Sequence, residues 1–342
     1  MDGSGLPEIR STCPYCGVGC GVLLRPDGEG GIAVRGDPEH PANFGRLCSK
    51  GSALGETVGF EHRLLSPMVN GSARSWNDAL QLVADRFSST IAEHGPDSVA
   101  FYVSGQLLTE DYYVANKLMK GFIGSANIDT NSRLCMASSV AGHKRAFGTD
   151  TVPGTYEDLD EADLVVLVGS NLAWCHPVLH QRLLTARKKR GTKIVVIDPR
   201  RTASCNDADM HLALKPGSDV ALFNHLLAEV YESGAVDADF VAHTNGFDTA
   251  LDAARADVVS VTGLSDTQIA EFCKLWINTE KVVTIYSQGV NQSTSGSDKV
   301  NAILNSHLAT GRIGTPGCGP FSVTGQPNAM GGREVGGLAN ML

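Results

Sequence analysis

Asp163-Leu164-Val165-Val166-Leu167-Val168-Gly169-Ser170-Asn171 is an unbroken apolar run that stops in a small polar turn. A run of this kind, with no polar alternation, predicts a strand buried on both faces, the habit of a parallel sheet covered by helices. The pattern then repeats. His180 to Lys189 reads as the following helix, and Lys193-Ile194-Val195-Val196-Ile197-Asp198-Pro199-Arg200 as a second strand. Asp219 to Tyr231 is helical, Val282 to Tyr286 is a third strand, and Ser297 to Thr310 is helical again. Such alternation predicts an α/β fold built on doubly wound, mostly parallel sheets.

Ligands of these folds bind beyond the carboxyl ends of the strands. Here those ends carry Gly169-Ser170-Asn171, Asp198-Pro199-Arg200-Arg201 and Gln288-Gly289-Val290-Asn291-Gln292. All three are polar and partly glycine-rich, as a nucleotide-bearing ligand requires. Taken one at a time, each of these side chains is better read as a loop or capping residue. Neither a P-loop nor a G-x-G-x-x-G fingerprint follows the strands, which weighs against nucleotide hydrolysis and dinucleotide hydride transfer. No internal repeat or low-complexity segment occurs.

Toward the N-terminus the alternation continues. From Trp76, apolar residues at Ala79, Leu80, Val83, Ala84 and Phe87 keep helical spacing. Ser98 to Val103 is a short strand, Glu110 to Phe122 a helix, and Asn127 to Asn131 a turn into a strand end.

Residues 1–62 differ in character. Val22-Leu23-Leu24 and Ile32-Ala33-Val34 flank Asp27-Gly28 and Gly30-Gly31, a hairpin signature, and Gly36 to Asn43 reads as loop. Around them stand Cys13, Cys16, Cys20 and Cys48, spaced C-x2-C-x3-C-x27-C. Three thiols on one tight loop and a fourth returning from a distance suit the corners of a [4Fe–4S] cluster. Gly17, Gly19 and Gly21 let the backbone close around it. Structural zinc is the competitor, but zinc sites usually show two close pairs, and Cys48 lacks a near partner. Lys50, two residues after Cys48, is either a solvated lysine or a cation between the cluster and a second redox centre.

The 342 residues suffice for two or three domains with a sizeable core. Lys plus Arg number 28 against 37 Asp plus Glu, a net charge of −9 that speaks against nucleic acid or an anionic membrane as partner. No apolar run approaches the roughly 20 residues of a membrane span. Met1 to Thr12 has neither an apolar signal core nor a twin-arginine pair, and nine cysteines suit a reducing compartment, so a cytoplasmic location is expected. The chain stops at Leu342 just after a dense glycine-rich stretch, which reads as a cut within a larger architecture.

These pieces together resemble the molybdopterin oxidoreductases of the dimethyl sulfoxide reductase family, the assimilatory and periplasmic nitrate reductases most closely. The resemblance covers essentially the whole chain. It rests on Cys13, Cys16, Cys20, Cys48 and Lys50, and on Ser132-Arg133-Leu134-Cys135-Met136-Ala137-Ser138-Ser139. It continues through Gly169-Ser170-Asn171, His176-Pro177, Asp198-Pro199-Arg200 and Pro316-Gly317-Cys318-Gly319-Pro320. It ends with Thr324-Gly325-Gln326-Pro327-Asn328-Ala329-Met330-Gly331-Gly332-Arg333-Glu334-Val335-Gly336, the most branch-specific stretch.

The resemblance implies a [4Fe–4S] domain at 1–62, a first α/β molybdopterin domain at 63–138 to which the chain returns at 318–342, and a second at 139–317. The family's C-terminal barrel domain would be missing. It implies two cofactors, the [4Fe–4S] cluster and a molybdenum bis(molybdopterin guanine dinucleotide). Cys135, otherwise simply a small buried hydrophobe, becomes the thiolate ligand of molybdenum, a soft donor suited to that metal. Cys175, in Trp174-Cys175-His176, is the rival thiol and reads as structural.

Met136 in place of a histidine favours nitrate reduction over formate oxidation. Arg333 is either the planar cation that steers nitrate or a partner of a pterin phosphate or structural carboxylate. Ser170, Asn171, Asp198, Asp219, Gln288, Asn291, Gln326 and Asn328 would contact the pterins, and Lys50 would relay electrons. The expected activity is reduction of nitrate to nitrite in nitrate assimilation. Electrons would come from ferredoxin, flavodoxin or a flavoprotein reductase subunit. Family enzymes are more than twice as long, so this chain alone is expected to keep the cluster, bind pterins poorly and turn over little. A formate dehydrogenase-like enzyme and a non-catalytic electron-transfer or cofactor-binding fragment remain the other readings.

Overall fold

The computed structural model describes residues 7–254, 257–336 and 338. The extreme ends of the expected first and returning segments, residues 1–6, 337 and 339–342, therefore lie outside the described residues. Two compact units result, Met1–Leu134 with Gln326–Leu342, and Cys135–Gly325.

In the first unit, β1 (Ile9–Thr12), β2 (Gly21–Pro26) and β3 (Ile32–Gly36) form an antiparallel sheet in that order. Thr12 pairs with Gly21 and Val22 with Gly36, so the cysteine loop is the tip of the β1–β2 hairpin. The expected β2–β3 hairpin is present, its turn held by Asp27 Oδ1, which accepts from Glu29 N and Gly31 N at 2.8 Å. β1 was not anticipated, because all four of its residues are exposed and only Ile9 is apolar.

A small hairpin, β4 (Met68–Val69) with β5 (Ser72–Ala73), turns at Asn70-Gly71, both with positive φ, the preference of a two-residue turn. The helix Trp76–His94 is capped by Ser75 Oγ, which accepts from Asp78 N at 3.1 Å. The parallel strands β6 (Phe101–Val103) and β7 (Ile128–Thr130) follow. β6 begins later than expected, after a 3₁₀ turn at Pro96–Ser98. Between them the helix Thr109–Asn116 runs into a π-helical stretch, Lys117–Ile123, ended by Gly124 in the left-handed region. Val99, Tyr112, Met119, Ile128 and Leu338 form this unit's core.

The second unit holds the expected α/β sheet. Its strands are β8 (Leu164–Val168), β9 (Lys193–Ile197), β10 (Met210–Leu212), β11 (Val282–Tyr286) and β12 (Gly319–Ser322). All pairings are parallel and the spatial order is β10-β9-β8-β11-β12. The sheet winds outward from β8 in one direction and from β11 in the other, the doubly wound pattern. β8 and β11 are buried along their whole length, as their uninterrupted apolar runs require.

The helices Pro177–Arg190, Asp219–Glu232, Asp266–Asn278 and Gly296–Ala309 carry the crossovers. The first starts earlier than its apolar spacing suggests, because Pro177 supplies a preset φ at the first helical position. One large core joins Leu222, Phe223, Leu226 and Trp276 to the strands. The two units follow other bounds than those expected: residues 1–62 and 63–134 fall together in the first, while 135–138 and 318–325 fall in the second, where β12 hydrogen-bonds to β11.

Candidate functional site

Two sets of residues are drawn together, one in each unit. In the first, Cys13 and Cys20 stand at the feet of the hairpin tip, with Cys13 N donating to Cys20 O at 2.8 Å. Gly19 takes φ +66 to complete the loop. Asn43 brings the distant segment back: its Nδ2 donates to Gly21 O at 3.0 Å and Arg46 O at 2.8 Å, while its Oδ1 accepts from Gly21 N at 2.9 Å. Cys48 then lies at the start of the short helix Ser49–Ser52, which carries exposed Lys50.

Cys13 and Cys20 are buried, Cys16 and Cys48 half-buried. Burial pushes the Cys20 thiol up to about 12, reinforced by the charges of Cys16, Cys13 and Cys48. Cys13 is raised chiefly by burial, and Lys50 opposes this weakly. Thiols raised in this way ionise only with compensating positive charge beside them. Among the described residues no three His, Cys, Asp or Glu side chains converge on one metal ion. Three thiols on one loop with a fourth returning from a distance is the arrangement a cubane cluster takes, whereas structural zinc sites usually show two close pairs.

The second set lies at the switch point of the five-stranded sheet, where the winding reverses between β8 and β11. The helix Asn131–Phe147 presents Cys135 and Met136 there. Gln288 Nε2 donates to Cys135 Sγ at 2.6 Å, and Asn291 Nδ2 lies 3.4 Å from Met136 Sδ and 3.3 Å from Gln288 Oε1. Cys135 and Asn291 are buried. Ser138 Oγ donates to Asn291 O at 2.7 Å, tying helix to loop.

Ser170 and Asn171 occupy the end of β8. Ser170 Oγ and Asn291 Oδ1 are buried and have no hydrogen-bond partner among the described residues. Asn171 Oδ1 accepts from Ser204 Oγ at 3.2 Å. Asp198 sits at the end of β9, accepting from Arg200 N at 2.8 Å. Asp219 forms a buried ion pair with Lys299 at 2.7 Å, and Lys299 Nζ donates to Gly289 O in the loop after β11 at 3.3 Å.

Gln326, Asn328 and Arg333 belong to the first unit. Asn328 Nδ2 donates to Leu107 O at 2.8 Å and Thr109 Oγ1 at 3.2 Å. Arg333 is half-buried, and burial lowers its pKa while Asp129 raises it and Arg133 lowers it further. Cys175, the rival thiol, is exposed beside exposed Trp174.

The sequence reading missed the supporting residues. On the Cys135 helix itself, His143 Nε2 lies 2.6 Å from Tyr286 Oη and Ser139 Oγ 2.7 Å from Ser322 Oγ. A helical assignment for 131–147 would have aligned Cys135, Ser139 and His143 on one face at four-residue steps.

Comparison with known proteins now decides the family. Residues 63–342 match the molybdopterin oxidoreductase model, and residues 6–59 match the molybdopterin oxidoreductase Fe4S4 domain model. The chain belongs to the molybdopterin oxidoreductase family.

A nitrate reductase of Klebsiella oxytoca is 60% identical over 338 residues, covering 98% of this chain and 39% of that protein. A nitrate reductase of Shewanella frigidimarina is 53% identical over 349 residues, covering 98% and 37%. The chain thus spans about two fifths of the length of these curated relatives. Acetylene hydratase from Pelobacter acetylenicus has a similar fold, with a TM-score of 0.80 at 22% identity over 88% of this chain and 43% of that one.

Molybdopterin oxidoreductases with an Fe4S4 domain carry a molybdenum–pterin group and a [4Fe–4S] cluster, and the residues present fit both. The cluster has four thiols around one loop and its return. For the pterin group, two orphaned buried oxygens, Ser170 Oγ and Asn291 Oδ1, belong to the segments that follow β8 and β11, the two strands at the switch point of the sheet. Buried polar atoms without partners call for a ligand that supplies them. No helix among the described residues is long and apolar enough to cross a membrane.

Proposed function

We propose that this chain is the N-terminal portion of an assimilatory, cytoplasmic nitrate reductase. The reaction consumes nitrate, two electrons and two protons and yields nitrite and water. The observation that carries this reading is the sulfur pair Cys135-Met136 at the switch point, met by the side-chain amides of Gln288 and Asn291. An adjacent histidine would offer a proton carrier suited to formate oxidation; a thioether offers none. The 60% and 53% identities to nitrate reductases support the same choice.

Cys13, Cys16, Cys20 and Cys48 hold the cluster at which electrons enter singly, and Lys50 stands beside it as the outgoing cation. Cys135 anchors the molybdenum. Ser170, Asn171, Asp198, Gln288, Asn291, Gln326 and Asn328 contact the two guanylyl pterins. The bound molybdenum–pterin group supplies the two-electron oxygen-atom chemistry. Arg333, next to Arg133 in a partly desolvated setting, attracts the planar anion to the site. The electron donor is a ferredoxin, flavodoxin or flavoprotein reductase subunit.

The test uses the full-length protein that contains this sequence, purified without oxygen. Nitrite formed from nitrate with reduced viologen, without formate-dependent dye reduction, is the expected result; the converse overturns the reading. Cys135→Ser is expected to abolish turnover and leave the cluster's visible absorption intact, whereas Cys175→Ser leaves both. The 342-residue chain by itself is expected to hold iron and little molybdenum, with little turnover.

A further inference from the structure

Gln288 and Asn291 do more at the switch point than present amides to a ligand. Gln288 Nε2 meets Cys135 Sγ at 2.6 Å, so the amide donates to the sulfur itself. Its orientation follows from the network: Gln288 Oε1 accepts from Asn291 Nδ2 at 3.3 Å, which leaves the amino group toward Cys135. The same Asn291 Nδ2 also meets Met136 Sδ at 3.4 Å. One pair of amides therefore holds both sulfurs of the Cys135-Met136 step.

The loop that carries the amides is rigidly placed. Asn291 N and Val290 N both donate to Ser287 O at 3.0 Å. Asn291 O accepts from Ser138 Oγ on the helix of Cys135. Gly289 O accepts from Lys299 Nζ at 3.3 Å, and Lys299 is in turn fixed by Asp219. Such a support is more than a surface glutamine needs, and it sets the donor against the sulfur within narrow limits.

We propose that Gln288 is a tuning residue: its amide N–H withdraws charge from the Cys135 thiolate, with Asn291 fixing the amide's orientation. This rests on the reading of Cys135 as the molybdenum ligand. A hydrogen bond to a ligating sulfur weakens its donation to the metal and so stabilises the reduced state. Gln288 thereby raises the reduction potential of the centre without touching substrate.

The experiment is an EPR-monitored redox titration of the full-length holoenzyme, with Gln288→Met and Gln288→Glu. Gln288→Met removes the donor at similar volume; Gln288→Glu keeps the shape and adds negative charge. The Mo(VI)/Mo(V) midpoint is expected to move to lower potential in both, further in Gln288→Glu, with the [4Fe–4S] midpoint unchanged. Turnover should fall several-fold in kcat, with KM for nitrate within about twofold. Asn291→Leu is expected to move the midpoint in the same direction by less. Should Gln288→Met not retain molybdenum, Gln288→Glu carries the test. An unchanged or raised midpoint in the molybdenum-containing variants overturns the proposal. Cys135→Ser is the separate control: if it leaves the Mo(V) signal unchanged, the ligand assignment fails, whatever Gln288 does.

Discussion

Gly169 and Gly289 face each other so closely that a Cβ on Gly289 would lie 2.6 Å from the Gly169 α-carbon, and one on Gly169 2.7 Å from the Gly289 α-carbon. Gly289 N also donates to Gly169 O at 3.0 Å, so the ends of β8 and β11 are joined backbone to backbone. Neither backbone can yield as a flexible side chain would. Gly289→Ala is therefore expected to cost about 1–3 kcal/mol in denaturant unfolding, the usual range for overpacking. It should also lower molybdenum content in the full-length protein and leave iron unchanged. A variant of native stability and full molybdenum content would show that the contact can be relaxed.

His143 gives the fold a pH dependence of known sign. Burial pushes its pKa down to about 4, below the value of about 6.5 expected in the unfolded chain. His307 is pushed down to about 3, by burial first and the Arg312 charge second. In both cases the unfolded chain takes up the proton first as pH falls. Stability is complete above pH about 6.5 and declines toward pH about 4, by about 1.4 kcal/mol per pH unit for each histidine. Denaturant unfolding of His143→Gln from pH about 7 to about 4 is expected to show a slope shallower by about that amount. An unchanged slope would mean that His143 is protonated in the fold.

The second unit's sheet was legible because β8, β9 and β11 announce themselves as apolar runs that no other element accommodates. β12 was not, since Gly319-Pro320-Phe321-Ser322 carries a proline and no such run. It is tolerated at the sheet edge, where Pro320 needs no second partner. The helix that presents Cys135 was missed for a different reason. Its inner face carries Ser139 and His143, whose hydrogen bonds to Ser322 and Tyr286 take the place of an apolar stripe. Cys135 and Gln288 stand 153 residues apart. Their residue types were readable as ligands one by one, but their meeting depends on which strands become neighbours.

Asp219 has a partner within the fold. At the start of a helix after a strand it had the sequence context of a ribose or guanine acceptor, yet its partner is Lys299, with side chains 8% and 4% exposed. Lys299→Met is expected to cost about 3–5 kcal/mol, because it leaves the Asp219 charge buried without compensation. The double variant Asp219→Leu with Lys299→Met should recover most of that loss, since it removes the charge as well as its partner. Denaturant unfolding of the two variants separates the roles. If the single variant unfolds like the unaltered chain, Asp219 is free to serve a ligand after all.

The cluster loop allows a prediction that separates iron from zinc. Cys20 sits in a pocket that drives its thiol up to about 12, and the largest cause is burial. Without a cationic core Cys20 and Cys13 are held mostly protonated by their burial. Anaerobically purified chain is therefore expected to hold about four irons. Cys20→Ser and Cys48→Ser should each bring that below about one, because a cubane cluster deprived of one corner ligand is labile. Cys175→Ser, at an exposed thiol, should leave the iron unchanged. Zinc near one per chain without iron would overturn the cluster assignment.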